Sequence, residues 1–292
     1  MRPARSSCPA RGRCAFTIVE LLVVVAIIGT LIVILLPAVR HAQVAARMTN
    51  EKAAARELML AYRMYADDNN DRVLPGYQDG LPAYTADRQP LGIPLGSRYP
   101  WRLAPYLNYR LDALYKNSAR EDLEEMRNES PDEFTYLVSL FPSLGLNSAF
   151  VGGDSRYGGF LKPPADGSAY LYDLTGVFYV RRGTDVARPD RLIVFASARG
   201  GDPEDSAFDR QYEGYFSVLS PYWLPNQGSR WNDNFEYSDP PEKFGNVSMR
   251  YHGNAVVAMF DGHVETFGED QMKDMRHWSH QAKRRDWRLG EK

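Results

Sequence analysis

Few residues of this chain are placed to do chemistry. Glu20 is the only charge in the run FTIVELLVVVAIIGTLIVILLPAV over residues 16–39. A carboxylate inside such a run costs several kcal/mol unless it is paired or close to an interface. It falls one helical turn after Phe16, so an amine at Phe16 of a neighbouring copy has the charge to neutralise it; an interfacial Glu reaching to water is the other reading. His252, Asp261 and His263 carry the imidazole and carboxylate groups of a metal or hydrolase site. The preferred reading of these three is a structural hairpin, because Asp261-Gly262 is a two-residue turn signal between strands and alternation need not bring His263 to His252. Asp67-Asp68-Asn69-Asn70-Asp71 offers oxygen ligands for Ca²⁺ but lacks the later Gly and Glu of an EF-hand, so it reads as a solvated helix end. Cys8 and Cys14 both precede the apolar run and are read as incidental rather than as a metal or redox pair. No nucleophile motif, phosphate loop or zinc-protease helix motif occurs. The expectation is a non-enzymatic protein with no metal and no cofactor.

The elements that position these groups begin with the apolar run. About 20 residues at ~1.5 Å each cross a hydrocarbon core of ~30 Å, and no charge interrupts residues 21–39. The run is longer than the ~7–15 residues of a secretory h-region. The first fifteen residues hold Arg2, Arg5, Arg11 and Arg13 and no acid. Positive flanks stay cytoplasmic, so the N-terminus is expected inside and the remainder outside, in the periplasm of a Gram-negative-type cell. Pro37 removes a backbone donor and Gly29 adds freedom, which predicts a helix able to bend.

Residues 12–39, GRCAFTIVELLVVVAIIGTLIVILLPAV, resemble the prepilin cleavage and N-methylation segment of type IV pilins and type II secretion pseudopilins. The resemblance rests on Phe16, Glu20, Gly29 and Pro37 along one apolar run. It implies cleavage between Ala15 and Phe16 by a prepilin peptidase/methyltransferase, methylation of the new Phe16 amine, and an assembly role for Glu20. Ala15 stands where the family usually has Gly. A second segment, NVSMRYHGNAVVAMFDGHVETFG over residues 246–268, resembles the His…Asp-Gly domain of large pseudopilins through His252, Asp261 and Gly262, with one residue fewer between His and Asp than is usual there.

Downstream, residues 40–66 are rich in Ala and free of Gly and Pro. Val44, Met48, Ala55, Leu58, Tyr62 and Tyr65 form a stripe for docking a head. A single helix to about Asp68 would be roughly 80 Å long. Residues 75–112 read as an irregular connection, with YPWRLAPYLNY (99–109) packing aromatics onto the stem. Exposed and second helices are expected over 117–133 and from Pro131 to Leu140. Strands are expected at AYLYDL, GVFYVRR and LIVFASA, then at MRY, AVVAMF and HVETF, the last two joined by a type I′ turn. The aromatic-rich excursion over 203–245 reads as core packing, with sugar or partner binding as the alternative. The basic QAKRRDWRLGEK end reads as a solvated tail.

The 18 Tyr and 13 Phe among 292 residues provide for a sizeable core. Net charge is −2, and without the four leader arginines the rest carries −6, which gives no support for nucleic-acid binding. The expected fold is α+β and pilin-like: a long transmembrane and stem helix packed on an antiparallel sheet with extended aromatic-rich loops. The expected organisation is leader 1–15, transmembrane helix 16–39, stem 40–68 and periplasmic head 69–292. The implied role is a structural inner-membrane subunit that joins other pilin-like subunits in a filament. The alternative is a membrane-anchored periplasmic binding module for carbohydrate.

Overall fold

A computed structural model describes residues 18–111, 114–115, 127, 129–157, 176–201, 212–223 and 227–291. The leader, Ala15 and Phe16 lie outside the described residues, as do the strand expected at AYLYDL and most of the exposed helix expected over 117–133. The chain divides into two units, one ending at Ala46 and the other beginning at Arg47. Helix α1, Ile18–Asp68, contributes to both.

In the first unit, every side chain from Ile18 to Val39 is exposed. This part of α1 is long and apolar enough to cross a membrane: at ~1.5 Å per residue it is roughly 33 Å, against a core of ~30 Å. The helix runs through both Gly29 and Pro37. A side chain at Gly29 would meet nothing within 4 Å, so no packing inside this chain requires glycine there. Thr30 hides its hydroxyl by donating to the Ala26 carbonyl at 2.9 Å.

The second unit is built on a four-stranded antiparallel sheet. Its strands are β1 (Leu144–Leu146), β2 (Ile193–Ser197), β3 (Asn254–Met259) and β4 (Val264–Gly268), in that spatial order. Leu146 faces Phe195, Ala196 faces Val257, and Val257 faces Glu265. The β2–β3 register is irregular between Ile193 and Phe195, and side chains of β2 alternate between the two faces. On one face lies the last part of α1, whose buried Ala54, Ala55, Leu58, Met59 and Tyr62 recur at helical spacing. Tyr62 meets Phe195 edge-on at 5.8 Å. The expected stripe is seen in Ala55, Leu58 and Tyr62, while Val44, Met48 and Tyr65 are half-buried.

The other face carries an aromatic core. Phe150 packs against Trp223 at 5.1 Å and Phe178 at 6.2 Å, and Trp231 against Trp278 at 5.7 Å. Such pairs add about 0.5–1.5 kcal/mol each beyond area burial. Their N–H groups are satisfied: Trp278 donates to the Met272 carbonyl and Trp231 to that of Leu219. Met272 ends the short helix α4 (Glu269–Met272) that follows β4; the other short helices are α2 (Tyr99–Leu103) and α3 (Pro131–Leu140). α3 opens where Pro at its first position, followed by Asp132 and Glu133, predicts a helix start. Tyr106, just after α2, packs on Tyr65 of the stem at 5.8 Å.

Four expectations are corrected. GVFYVRR forms isolated bridges, Val180 with Val151 and Arg182 with Arg72, rather than a strand. MRY is a turn approach with one bridge from Arg250 to Asn254. The β3–β4 turn is not type I′. Gly262 N–H closes on the Met259 carbonyl and only Gly262, at φ +93, is left-handed in Phe260-Asp261-Gly262, the pattern of a three-residue loop with a bulge. The C-terminus is not a solvated tail: Trp287 and Leu289 are buried, the Leu289 N–H donates to the Trp223 carbonyl, and Arg284 and Arg285 pair with Glu291 and Asp270.

Much of this unit is irregular chain, whose carbonyls must find donors. Buried arginines supply them. Arg102 donates to the carbonyls of Gly76 and Ser97, and burial lowers its pKa to about 10. Arg199 donates to the carbonyls of Glu236, Tyr237 and Asp239.

Candidate functional site

Two places hold functional groups: the apolar half of α1 with Glu20, and the junction of the stem with the sheet. Glu20 lies in the first turn of α1, and its neighbours Val19, Leu21 and Leu22 are exposed.

The junction is the more developed site. Glu51 is 1% exposed, in the seam of the stem stripe. Its Oε2 accepts from Arg250 Nη2 at 2.7 Å, Arg250 Nε at 3.0 Å and Tyr251 Oη at 2.5 Å. Its Oε1 accepts from Ser197 Oγ at 2.5 Å. Arg250 also donates to the carbonyls of Ala198 and Ser143, both at 2.8 Å. The Ser197 hydroxyl in turn accepts the N–H of Val256 in β3. One carboxylate thus ties α1 to β2 and to the segments entering β1 and β3.

The electrostatics follow from burial. Burial alone would lower the Arg250 pKa, but Glu51 outweighs it and holds the guanidinium above its ordinary value. The Tyr251 phenol is raised by burial and then by the Glu51 charge, so it remains a donor. A charge pair this dry is tolerable only because nearly every donor and lone pair is used. The network fastens the stem to the sheet.

His252 and Asp261 do not meet. They flank opposite ends of β3, whose six residues at ~3.4 Å each place them roughly 20 Å apart. His252 is left-handed at φ +51, and its carbonyl accepts from Asn254. Asp261 instead caps its own turn, accepting the His263 N–H at 3.0 Å, and lies 2.6 Å from His263 Nδ1; Glu265 lies 3.3 Å from Nε2. Burial opposes charge on His263, but Asp261 and Glu265 outweigh it and raise its pKa. Gly262 is favoured by φ +93, and an added Cβ would also lie 3.0 Å from Cζ of Arg63, an exposed side chain that would have to give way slightly. Among the described residues no group of three or more His, Cys, Asp or Glu is arranged to hold a metal. In the Asp/Asn cluster, Asn70 and Asp71 are left-handed, and Asp71 Oδ2 accepts the Thr184 N–H at 3.1 Å.

The aromatic-rich excursion, where described, gives Phe216, Trp223, Trp231 and Phe244 to the core. Tyr237 of the same stretch is 47% exposed.

Sequence reasoning missed Glu51, Ser197, Arg250 and Tyr251. A signal for Glu51 existed: it continues the 44, 48, 55, 58, 62 stripe at position 51, where an acid needs a buried partner.

The fold and the site define a coarse class: an α+β protein with an antiparallel sheet and a long apolar N-terminal helix able to cross a membrane. No family model, curated protein or solved structure matches the chain.

Proposed function

We propose that this chain is a structural pilin-like subunit, a pseudopilin of a type II secretion or type IV pilus-like filament. The carrying observation is an exposed apolar helix from Ile18 to Val39 with a single acid, Glu20, one turn from Phe16. In this reading a prepilin peptidase/methyltransferase cuts between Ala15 and Phe16 and methylates the new amine. The apolar helices of neighbouring subunits then bundle, and each Glu20 meets a neighbour's Phe16 amine, which sets opposite charges together where hydrocarbon makes charge costly. The second unit faces the periplasm, and no chemistry is asked of it. The Glu51–Arg250 network supports this reading: a subunit held by its helix needs that helix fastened to the rest of the protein.

Mass spectrometry of the N-terminus of the native protein tests the proposal. Methyl-Phe at position 16 is expected. An intact leader, or a cut after the apolar run, sinks it.

A further inference from the structure

Between Glu20 and Glu51 the chain holds no acid, and Arg40 and Arg47 are the only Lys or Arg residues of that interval. Both are exposed, and neither has an ion-pair partner among the described residues. Glu51 does not compensate them, because its carboxylate is buried and already neutralised by Arg250. The next acid along α1, Glu57, is exposed and lies roughly 15 Å beyond Arg47. That is farther than the ~8 Å over which salt screens charges at physiological ionic strength. Along this part of the helix two guanidinium charges therefore stand uncompensated.

Their place on the helix says what they meet. Position 47 follows position 40 by one heptad in an uninterrupted helix, so the two share a face to within about 20°. Arg40 comes directly after the apolar run, and the Arg47 backbone lies roughly 12 Å beyond Val39. The headgroup layer extends roughly 5–8 Å past each side of the hydrocarbon core. Side chains on a helix lean toward its N-terminus and cover the preceding turn. On α1 that direction is back toward the membrane-length run, and one turn of ~5 Å brings the Arg47 guanidinium into the headgroup layer.

We propose that Arg40 and Arg47 bind the headgroups of anionic phospholipids, in the leaflet at the C-terminal end of the membrane-spanning part of α1. This contact rests on the reading of residues 18–39 as membrane-spanning, and adds a lipid preference that filament assembly does not require. A guanidinium pairs with phosphate oxygens through two parallel N–H groups. A zwitterionic lipid offers the same phosphate beside its own cation, so two uncompensated arginines favour the lipid with net negative charge. Two cations are too few to hold a protein on a membrane. Here the apolar run does the holding, and the arginines need only select among the lipids around it.

The test reconstitutes the full-length chain in nanodiscs of mixed phosphatidylcholine and phosphatidylglycerol. Native mass spectrometry then counts the lipids that the released chain retains. Phosphatidylglycerol should be enriched over phosphatidylcholine, and Arg40→Gln and Arg47→Gln should each lower that enrichment by about fivefold. Arg40→Lys with Arg47→Lys should keep most of it, because the charge remains. Arg56→Gln, at an exposed position roughly 25 Å beyond Val39, should leave it unchanged. The leader is the same in every variant, so the differences report positions 40 and 47. If Arg56→Gln lowers the enrichment as much as Arg40→Gln does, the attraction is one of general surface charge and the assignment falls. Equal enrichment in the wild type and in the double Gln variant also overturns it. The membrane reading still stands in that case if the chain resists alkaline carbonate extraction from native membranes; a chain that carbonate removes takes both down.

Discussion

The Glu51 carboxylate and the Arg250 guanidinium meet at 2.7 Å between positions 199 apart in the chain, both nearly excluded from solvent. Glu51 also accepts from Ser197 and Tyr251, so four side chains form one unit. Removing one member leaves the others buried and unpaired.

Glu51→Ala should therefore destabilise the fold by about 3–5 kcal/mol, the scale for breaking a buried pair. Urea unfolding followed by tryptophan fluorescence reads this, since all five tryptophans are buried. Glu51→Met combined with Arg250→Met should cost clearly less than the sum of the single changes. Additive costs would show that the two residues act separately.

Gly262→Ala should cost about 1–2 kcal/mol from the left-handed conformation alone. The contact with Arg63 adds to it, so Arg63→Ala in the same chain should recover part of the loss but not all. A thermal shift equal in both backgrounds would remove Arg63 from the account.

Stability should change on both sides of pH 6.5, for opposite reasons. His277 and His280 have pKa values lowered from 6.5 by burial, and the His277 ring meets the Arg191 carbonyl at 3.1 Å. The unfolded chain takes up these protons first as pH falls, so their contribution is full above 6.5 and is lost below it, as pH falls through the folded values. His263 is raised by Asp261 and Glu265, so its contribution is full below 6.5 and is lost as pH rises through its folded value. His277→Gln and His280→Gln should flatten the acid limb, and His263→Gln the limb above 6.5, in denaturation midpoints measured across pH. Asp185 and Asp274, lowered by their hydrogen bonds against the pull of burial, act in a separate window below 3.8.

Glu20→Ala should leave membrane insertion intact, because it removes the only charge of the run. It should reduce incorporation into filaments, measured by co-purification with tagged wild-type chain. Normal incorporation would refute charge pairing by Glu20.

The sequence alone carried the apolar helix, because hydropathy and length are local and additive along the chain. It also carried α3 and the strands β2, β3 and β4, whose capping or alternation is local too. The aromatic character of the core was visible in composition, but which of its faces pack was not. GVFYVRR reads as a strand by propensity, yet its neighbours offer it only isolated bridges. The turn at Asp261-Gly262 was legible as a turn; its type was set by the bulge that the β3–β4 register demands.

The tertiary structure alone decided the junction. Glu51 looks like an ordinary helix-favouring residue until the stem lies on the sheet, and Arg250 looks like a polar residue near a strand. They become partners only because the long connections bring positions 51, 197 and 250 together, a long-range arrangement no local pattern encodes. Burial then converts four common side chains into a network, since unpaired charge cannot remain in a dry interior.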